Sequence, residues 1–188
     1  MEKTITTVNG VELPRLKETI NAVKNQPEIG RFKFKATNEW IDGGHNRSLV
    51  KNFYGACQED TSRMESFELV NDEPDVLLGQ DNGANPVEHL LHALAGCLTT
   101  SMVYHAAARG YQLDRVDSTL EGDLDLRGFL GIDPTVRNGY SNVKVQFNIE
   151  GDLTQEQKSE ILKMGPAFSP VFDVLSNGTR VDVSLSVN

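Results

Sequence analysis

The 188-residue sequence is poor in cysteine and in long apolar runs, and each shortage excludes a class of protein. Two cysteines, Cys57 and Cys97, are too few for the disulfide framework of a small secreted domain. The N-terminal stretch MEKTITTVNGVELPRLK has no apolar signal core, and no later apolar run is long enough to cross a membrane. We therefore expect a cytoplasmic protein that does not associate with membranes.

Positive charge is also scarce. The chain has 18 Lys and Arg against 27 Asp and Glu, which gives a formal net charge of −9. A negative surface repels phosphate backbones and anionic lipids, so nucleic acid is not an expected partner. The apolar fraction of 38% is ordinary for a globular protein, and the length suits one domain with a sizeable core.

The order of hydrophobic patterns predicts an α+β fold. An Asn9-Gly10 hairpin signal precedes an amphipathic helix that Pro27 ends. Strands are expected at 31–40, 47–55 and 64–70, before a polar loop and one long helix; the first of these alternates as a half-buried strand does. After that helix we expect strands at 113–128 and 141–151, helices within 154–165 and 168–178, and a closing strand at 179–187.

The long helix is predicted for the segment NPVEHLLHALAGCLTTSMVYHAAARG. Asn85 can cap its start, Pro86 suits the first turn, and Glu88 lies near the positive end of the helix dipole. Gly110 is a typical stop signal. The stretch between the two signals corresponds to roughly 36 Å of helix, enough to cross a small domain, so much of it should be central.

Residue chemistry alone favours a structural role for the cysteines of this chain. Cys97 shares its helix face with Leu90, Ala93, Ser101 and Tyr104, and a mid-helix thiol gains little from the helix dipole. It needs a cation from elsewhere to be a thiolate at neutral pH. Cys57 is expected to be a buried thiol. His89 and His92 have an HxxH spacing, but this is a weak metal signal, and we expect no metal site.

A resemblance changes the interpretation of Cys97. The long-helix segment, preceded by LLGQDNGA and followed much later by SPVFDVL, resembles the osmotically inducible protein C (OsmC) family, which includes the organic hydroperoxide resistance proteins. The similarity covers roughly residues 30–188. It implies an OsmC-like domain at 29–188 after an N-terminal hairpin and helix extension at 1–28. It also implies curved antiparallel sheets wrapped around long central helices in an intertwined homodimer.

The resemblance implies a reaction as well. In the family a cysteine thiolate reduces an organic hydroperoxide, an arginine stabilises the thiolate, and a glutamate holds that arginine. Carried over by position, Cys97 is the reactive cysteine, Arg47 is the leading candidate for the arginine with His45 as an alternative, and Glu88 is the candidate acid. No cofactor is implied.

Two positions depart from the family pattern. Ser169-Pro170 stands where the peroxidases have Cys-Pro, so the usual resolving cysteine is missing. Val87 occupies the position of the family glutamate, and Glu88 is one residue later, which turns its side chain by about 100° around the helix.

These departures leave two main hypotheses. In the first, the chain is a Cys97-based thiol peroxidase that acts on small organic hydroperoxides in oxidative stress defence. An external thiol resolves it, or Cys57 does if folding or dimerisation brings the two sulfurs within reach. In the second, the scaffold is kept without peroxidase activity and binds a small apolar ligand or performs other thiol chemistry. A purely structural role is a third alternative, so whether the chain is an enzyme stays open at this point.

Overall fold

The computed structural model describes residues 7–186 as a mixture of helices and antiparallel strands, which confirms the α+β prediction. The helices are α1 (Leu13–Asn25), α2 (Pro86–Ala108), α3 (Leu126–Phe129), α4 (Gln155–Phe168) and α5 (Pro170–Asn177). The strands are β1 (Thr7–Val8), β2 (Val11–Glu12), β3 (Lys33–Phe34), β4 (Thr37–Asp42), β5 (His45–Val50), β6 (Phe53–Gly55), β7 (Gln58–Asp60), β8 (Phe67–Asn71), β9 (Arg115–Asp123) and β10 (Asn142–Glu150). Within residues 7–186 no helix is long and apolar enough to cross a membrane.

Local signals explain most element boundaries. Asn9 and Gly10 form the β1–β2 turn with φ values of 52° and 77°, a left-handed conformation that these two residue types tolerate best. Thr154 and Gln157 form the capping box that starts α4. The predicted amphipathic helix is α1, and the predicted short helix within 168–178 is α5.

The chain divides into two compact units. The first unit comprises Glu12–Leu90, and the second comprises Thr7–Val11 together with the chain from Leu91 onward. Helix α2 begins in the first unit and continues through the second. The N-terminal hairpin belongs with the second unit because the Asn9 side chain bonds the backbone of the α2–β9 connection: its amide donates to the Tyr111 carbonyl at 2.9 Å and accepts from the Leu113 N–H at 2.9 Å.

The second unit holds the apolar core of the described chain. Its centre consists of Met102 and Ala106 of α2, Ile149 of β10 and Ile161 of α4. Helices α2 and α4 approach closely at Gly165, where an added Cβ would lie 3.2 Å from Met102 Cγ and 3.4 Å from Leu98 Cδ2. A glycine here therefore lets two helices pack at a distance that larger residues would prevent.

Polar and aromatic contacts also join α4 to the C-terminal end of α2 and to Tyr111, which follows it. The Arg109 guanidinium pairs with Glu160 of α4 at 3.3 Å, and the Tyr111 hydroxyl donates to the same carboxylate at 2.8 Å. One turn before Arg109, the His105 ring stacks on the ring of Phe168, with centroids 3.7 Å apart. Phe168 is the last residue of α4, so this stack holds the junction between α4 and α5 against α2.

The first unit is built from two three-stranded antiparallel sheets, in the orders β3-β6-β7 and β4-β5-β8. The rings of Phe32, Phe34 and Phe53 lie together on one side of the first sheet. The Arg63 guanidinium lies 5.2 Å from the ring centroids of both Phe53 and Phe67, which extends this aromatic face to the second sheet. Phe32, Phe34 and Phe67 are nevertheless exposed, and no apolar side chain of the first unit is buried among the described residues.

Four predictions about strands and thiols were wrong. The strand predicted at 113–128 ends at Asp123, because Asp125 caps the short helix α3 that follows. Residues 31–40 contribute β3 and most of β4, but both are exposed rather than half-buried, because nothing in the described chain covers their faces. Residues 179–186 form no strand, since their alternating Val181, Val183 and Leu185 have no neighbouring strand to pair with; the predicted end at 187 lies outside the described residues. Cys57 is exposed in the β6–β7 turn instead of buried.

The His105–Phe168 stack predicts a pH dependence of stability. Burial, with a smaller contribution from Arg109, lowers the pKa of His105 below its ordinary 6.5. The folded state therefore binds the proton less readily than the unfolded state, so this contribution is complete above pH 6.5 and is lost as pH falls through the folded pKa. We expect the free energy of unfolding in urea to decrease more steeply below pH 6.5 for the wild type than for His105→Gln. Equal slopes for the two proteins would contradict this origin.

Candidate functional site

The start of α2 is fixed by a reciprocal pair of hydrogen bonds. The Glu88 N–H donates to Asn85 Oδ1 at 2.9 Å, and the Asn85 N–H donates to Glu88 Oε2 at 2.9 Å. This is the capping-box arrangement, with Glu88 three residues after the cap. Next in the chain, His89 Nε2 lies 3.0 Å from the Val70 carbonyl oxygen at β8. The Glu88 carboxylate therefore caps the start of α2, and the His89 ring contacts the backbone of β8.

Cys97 lies at the boundary between two faces of α2. Leu94, Leu98, Met102 and Ala106 recur every fourth residue and are buried. The opposite stripe, also at four-residue spacing, is exposed and consists mainly of small residues: His92, Gly96, Thr100, Tyr104 and Ala108. Cys97 is a free, half-buried thiol between them, and within residues 7–186 its sulfur has no hydrogen bond or ion pair.

Arg47 is held by an acidic residue that the sequence analysis did not identify. Its Nη2 and Nε donate to Glu39 Oε2 at 2.9 Å and 3.2 Å. The hydrogen bond and the charge of Glu39, with a smaller contribution from Glu68, raise the pKa of Arg47 above its ordinary value. The pair faces solvent, so its value lies in orienting the guanidinium more than in stabilising the fold.

A β-bulge creates this pair. β4 and β5 join through Gly43-Gly44, and a regular hairpin with Asp42 opposite His45 would place Trp40 opposite Arg47. The register shifts between Trp40 and Asp42, so Glu39 becomes the cross-strand partner of Arg47. The pairing of Glu39 with Arg47 can be predicted from the sequence only if the bulge is known.

Ser169 has a structural role of its own. It is only 2% exposed, and its hydroxyl accepts the Phe172 N–H at 3.1 Å as the N-cap of α5. Ser-Pro at a helix start is a recognisable capping signal, so this role was readable from the sequence.

The candidate residues divide between the two units. Arg47, His45, Cys57 and Glu88 belong to the first unit, whereas Cys97 and Ser169 belong to the second. Two of these candidates have polar partners outside the candidate set. Arg47 forms an ion pair with Glu39, and Glu88 is hydrogen-bonded to Asn85. Among the residues that the structure describes, no group of three or more His, Cys, Asp or Glu side chains could hold a metal ion.

Solved structures with the same fold come from several bacteria. An OsmC-like protein from Mycoplasma pneumoniae aligns with a TM-score of 0.59 at 15% identity, over 82% of this chain and 96% of the other. An organic hydroperoxide resistance protein OsmC from Legionella pneumophila aligns with a TM-score of 0.55 at 19% identity, over 82% and 97% of the two chains. An OsmC-like protein of unknown function from Vibrio cholerae gives 0.52 at 12% identity, over 77% and 94%. These identities establish the shared fold and nothing finer.

Sequence comparison gives the family. No curated protein matches the chain at a significant level. The family model described as OsmC-like protein matches residues 79–184, which is more than half of the chain and contains all of α2. With the matching fold, this establishes that the chain belongs to the OsmC-like family.

Proposed function

We propose that this protein reduces small organic hydroperoxides with Cys97 as the nucleophile and an external thiol as the resolving partner. The Cys97 thiolate attacks the O–O bond, the peroxide is reduced to an alcohol once the leaving alkoxide gains a proton, and Cys97 becomes a sulfenic acid. A thiol then condenses with the sulfenic acid, releasing water and forming a mixed disulfide. A second thiol restores the Cys97 thiol and leaves as part of a disulfide. A cytoplasmic location, which we also propose, supplies such thiols.

The position of Cys97 is the observation that carries this proposal. A thiol that is half-buried beside an exposed stripe of small residues is open to a small substrate and partly shielded from water. Membership of a family that includes hydroperoxide resistance proteins supports the same chemistry. A buried structural cysteine would instead be expected on the inner face, beside Leu98 and Met102.

The cation for the thiolate is proposed to be Arg47, with Glu39 as the acid that orients it. Within residues 7–186 Cys97 forms no ion pair, so its thiolate needs a cation beyond the described contacts. Arg47 is already held in a fixed orientation by two hydrogen bonds to Glu39. Glu88 is not the preferred acid, because its carboxylate caps α2.

We further propose that the protein is a homodimer. The first unit has no buried apolar side chain among the described residues, and its aromatic face is open to solvent. A chain segment of this size cannot be stable without apolar burial, so the aromatic face needs a cover. The apolar residues Val181, Val183 and Leu185 are exposed and need a cover as well, and an isologous second copy can cover both surfaces.

The alternative function is a family scaffold that binds a small apolar ligand without reducing peroxides. The capping role of Ser169 is the observation in its favour, because the position of the usual resolving cysteine is used to start a helix. Measuring hydroperoxide consumption by the wild type and by Cys97→Ser separates the two functions.

The first prediction concerns the two thiols. We expect Cys97→Ser to abolish consumption of cumene hydroperoxide in the presence of dithiothreitol, because a hydroxyl cannot form the sulfenic acid. The matched variant Cys57→Ser should retain the wild-type rate, since Cys57 lies in an exposed turn of the first unit.

Two outcomes would contradict that assignment. Absence of hydroperoxide consumption by the wild type above the level of Cys97→Ser would favour the ligand-binding alternative. Loss of activity in Cys57→Ser, with an intrachain Cys57–Cys97 disulfide found in the peroxide-treated wild type by mass spectrometry, would make Cys57 the resolving residue.

Ser169→Cys tests the missing resolving thiol. We expect a disulfide between Cys97 and the new cysteine after peroxide treatment, provided that their Cα atoms lie within about 7 Å. The same change removes the hydroxyl cap of α5 and should lower the free energy of unfolding by about 1 kcal/mol. Ser169→Ala is the control, because it loses the cap without adding a thiol. Higher peroxide turnover in Ser169→Ala than in Ser169→Cys would contradict the resolving role.

The dimer is tested by light scattering after size-exclusion chromatography. We expect about 42 kDa, twice the 20.8 kDa of one chain. Phe34→Asp should shift the protein towards monomer because it places a charge on the aromatic face, whereas Val76→Asp, at an equally exposed apolar residue outside that face, should not. A monomeric wild type at micromolar concentration, or equal dissociation of both variants, would refute this arrangement.

A further inference from the structure

The dipeptide Asn-Gly occurs four times in the sequence, at Asn9-Gly10, Asn82-Gly83, Asn138-Gly139 and Asn177-Gly178. A protein chain can modify itself at such a pair, because the glycine nitrogen can attack the asparagine Cγ and no glycine Cβ obstructs the approach. A C–N bond forms, the side-chain nitrogen leaves as ammonia, and a succinimide ring results. Water opens the ring to aspartate, or to isoaspartate, in which the main chain runs through Cβ and Cγ.

The pair Asn177-Gly178 is protected against this reaction. The attack requires that the glycine N–H lose its proton and that the asparagine side chain turn onto the backbone nitrogen, and hydrogen bonds from these groups oppose both steps. The Asn177 amide donates to Asp173 Oδ1 at 2.8 Å, and the Gly178 N–H donates to the Val174 carbonyl at 2.9 Å. Both bonds must break before the ring can form.

Two further pairs are held by their side chains. Asn9 has the two hydrogen bonds to the α2–β9 connection described above, at 2.9 Å each. The Asn82 amide donates to Asp72 Oδ2 at 2.8 Å. The following residue, Gly83, packs so closely on β8 that an added Cβ would lie 2.6 Å from the Val70 carbonyl oxygen. The peptide group between Asn82 and Gly83 therefore has little room to rotate.

Asn138-Gly139, in the connection between β9 and β10, lacks this protection. Asn138 is exposed, and within residues 7–186 neither its side chain nor the Gly139 N–H forms a hydrogen bond. An added Cβ at Gly139 would meet a single neighbouring atom, Arg137 Nε at 4.0 Å. The side chain of Asn138 is thus free to turn, and the attacked and attacking atoms are open to water.

The single neighbour of Gly139 is itself favourable to the reaction. The Arg137 guanidinium is exposed and forms no ion pair in the described part of the chain. A positive charge next to a group that must lose a proton favours the deprotonated form, here the Gly139 nitrogen that attacks. The same cation can pair with the carboxylate of the product. Arg137 therefore favours both the start and the end of the conversion.

We propose that Asn138-Gly139 is a self-modification site, at which the folded protein converts Asn138 to aspartate and isoaspartate with Arg137 promoting the attack. Either product adds a negative charge to the β9–β10 connection, and isoaspartate also lengthens its main chain. The fold thus selects one of four identical dipeptides. This reaction needs only water and is independent of the proposed peroxide chemistry.

The test is peptide mapping of the full-length protein after incubation in warm, mildly alkaline buffer, with and without urea. Pepsin digestion at acidic pH, where the ring forms slowly, followed by fragmentation in a mass spectrometer, locates each converted asparagine. Isoaspartate is measured by carboxyl methylation with a protein isoaspartyl methyltransferase. In the folded protein we expect conversion at Asn138 before any other pair. In urea all four pairs should convert at similar rates, because the hydrogen bonds that protect three of them are lost.

Two variants test the chemistry. Gly139→Ala should lose the conversion over the same incubation, because its Cβ obstructs the attack. It is expected to fold, since Gly139 is not in the left-handed region and the Cβ has space. Arg137→Gln should slow conversion of Asn138, whereas Arg115→Gln, which removes an exposed cation from β9, should leave the rate unchanged.

Three results would overturn the proposed site. The first is an unmodified Asn138 in folded protein under conditions that convert it in urea. The second is conversion of the four pairs at equal rates in the folded protein. The third is conversion of Asn138 in Gly139→Ala at the wild-type rate. Equal rates in Arg137→Gln and Arg115→Gln would refute the role of Arg137.

Discussion

The close approach of α2 and α4 at Gly165 determines where the other groups of the second unit lie. Because Leu98 and Met102 fill the space above that glycine, the face of α2 that contains them must be buried, and Cys97, one residue before Leu98, is turned to the edge. The same packing brings the end of α4 to His105, which places the α4–α5 junction and therefore Ser169. The exposure of the thiol thus follows from helix packing and needs no special contact of its own.

Much of this arrangement was predictable, because it depends on local signals. The bounds of α2 follow from Asn85, Pro86 and Gly110, and the start of α4 follows from its capping box. The α+β order follows from alternation and helical periodicity. The predictions that were wrong depend on tertiary neighbours, which a local hydrophobic pattern does not identify. Residues 179–186 alternate as a strand does, yet alternation supplies only a side-chain pattern, and a strand also needs a partner for its backbone groups.

The proposed site was less predictable than the fold, for two physical reasons. Sequence position assigned the acid to Glu88, but the hydrogen bonds at a helix start compete for that carboxylate. The acid that does contact Arg47 depends on a single extra residue in β4, and a shift of one residue in a hairpin exchanges the two faces of a strand. Glu39 could not be paired with Arg47 from alternation alone, since a regular register puts the two side chains on opposite faces.

The capping role of Ser169 constrains the chemistry that this chain can perform. The Ser169 hydroxyl accepts a backbone N–H of α5. A cysteine at this position would lose that hydrogen bond and supply a thiol instead. If Cys97 is oxidised in this protein, its sulfenic acid must then persist until a thiol diffuses to it, and further oxidation competes during that interval. A half-buried thiol slows access of a second peroxide but also slows the incoming thiol. Efficient turnover therefore requires an opening beside α2 that admits a small thiol, and the small side chains of Gly96 and Thr100 on the exposed stripe provide room for one.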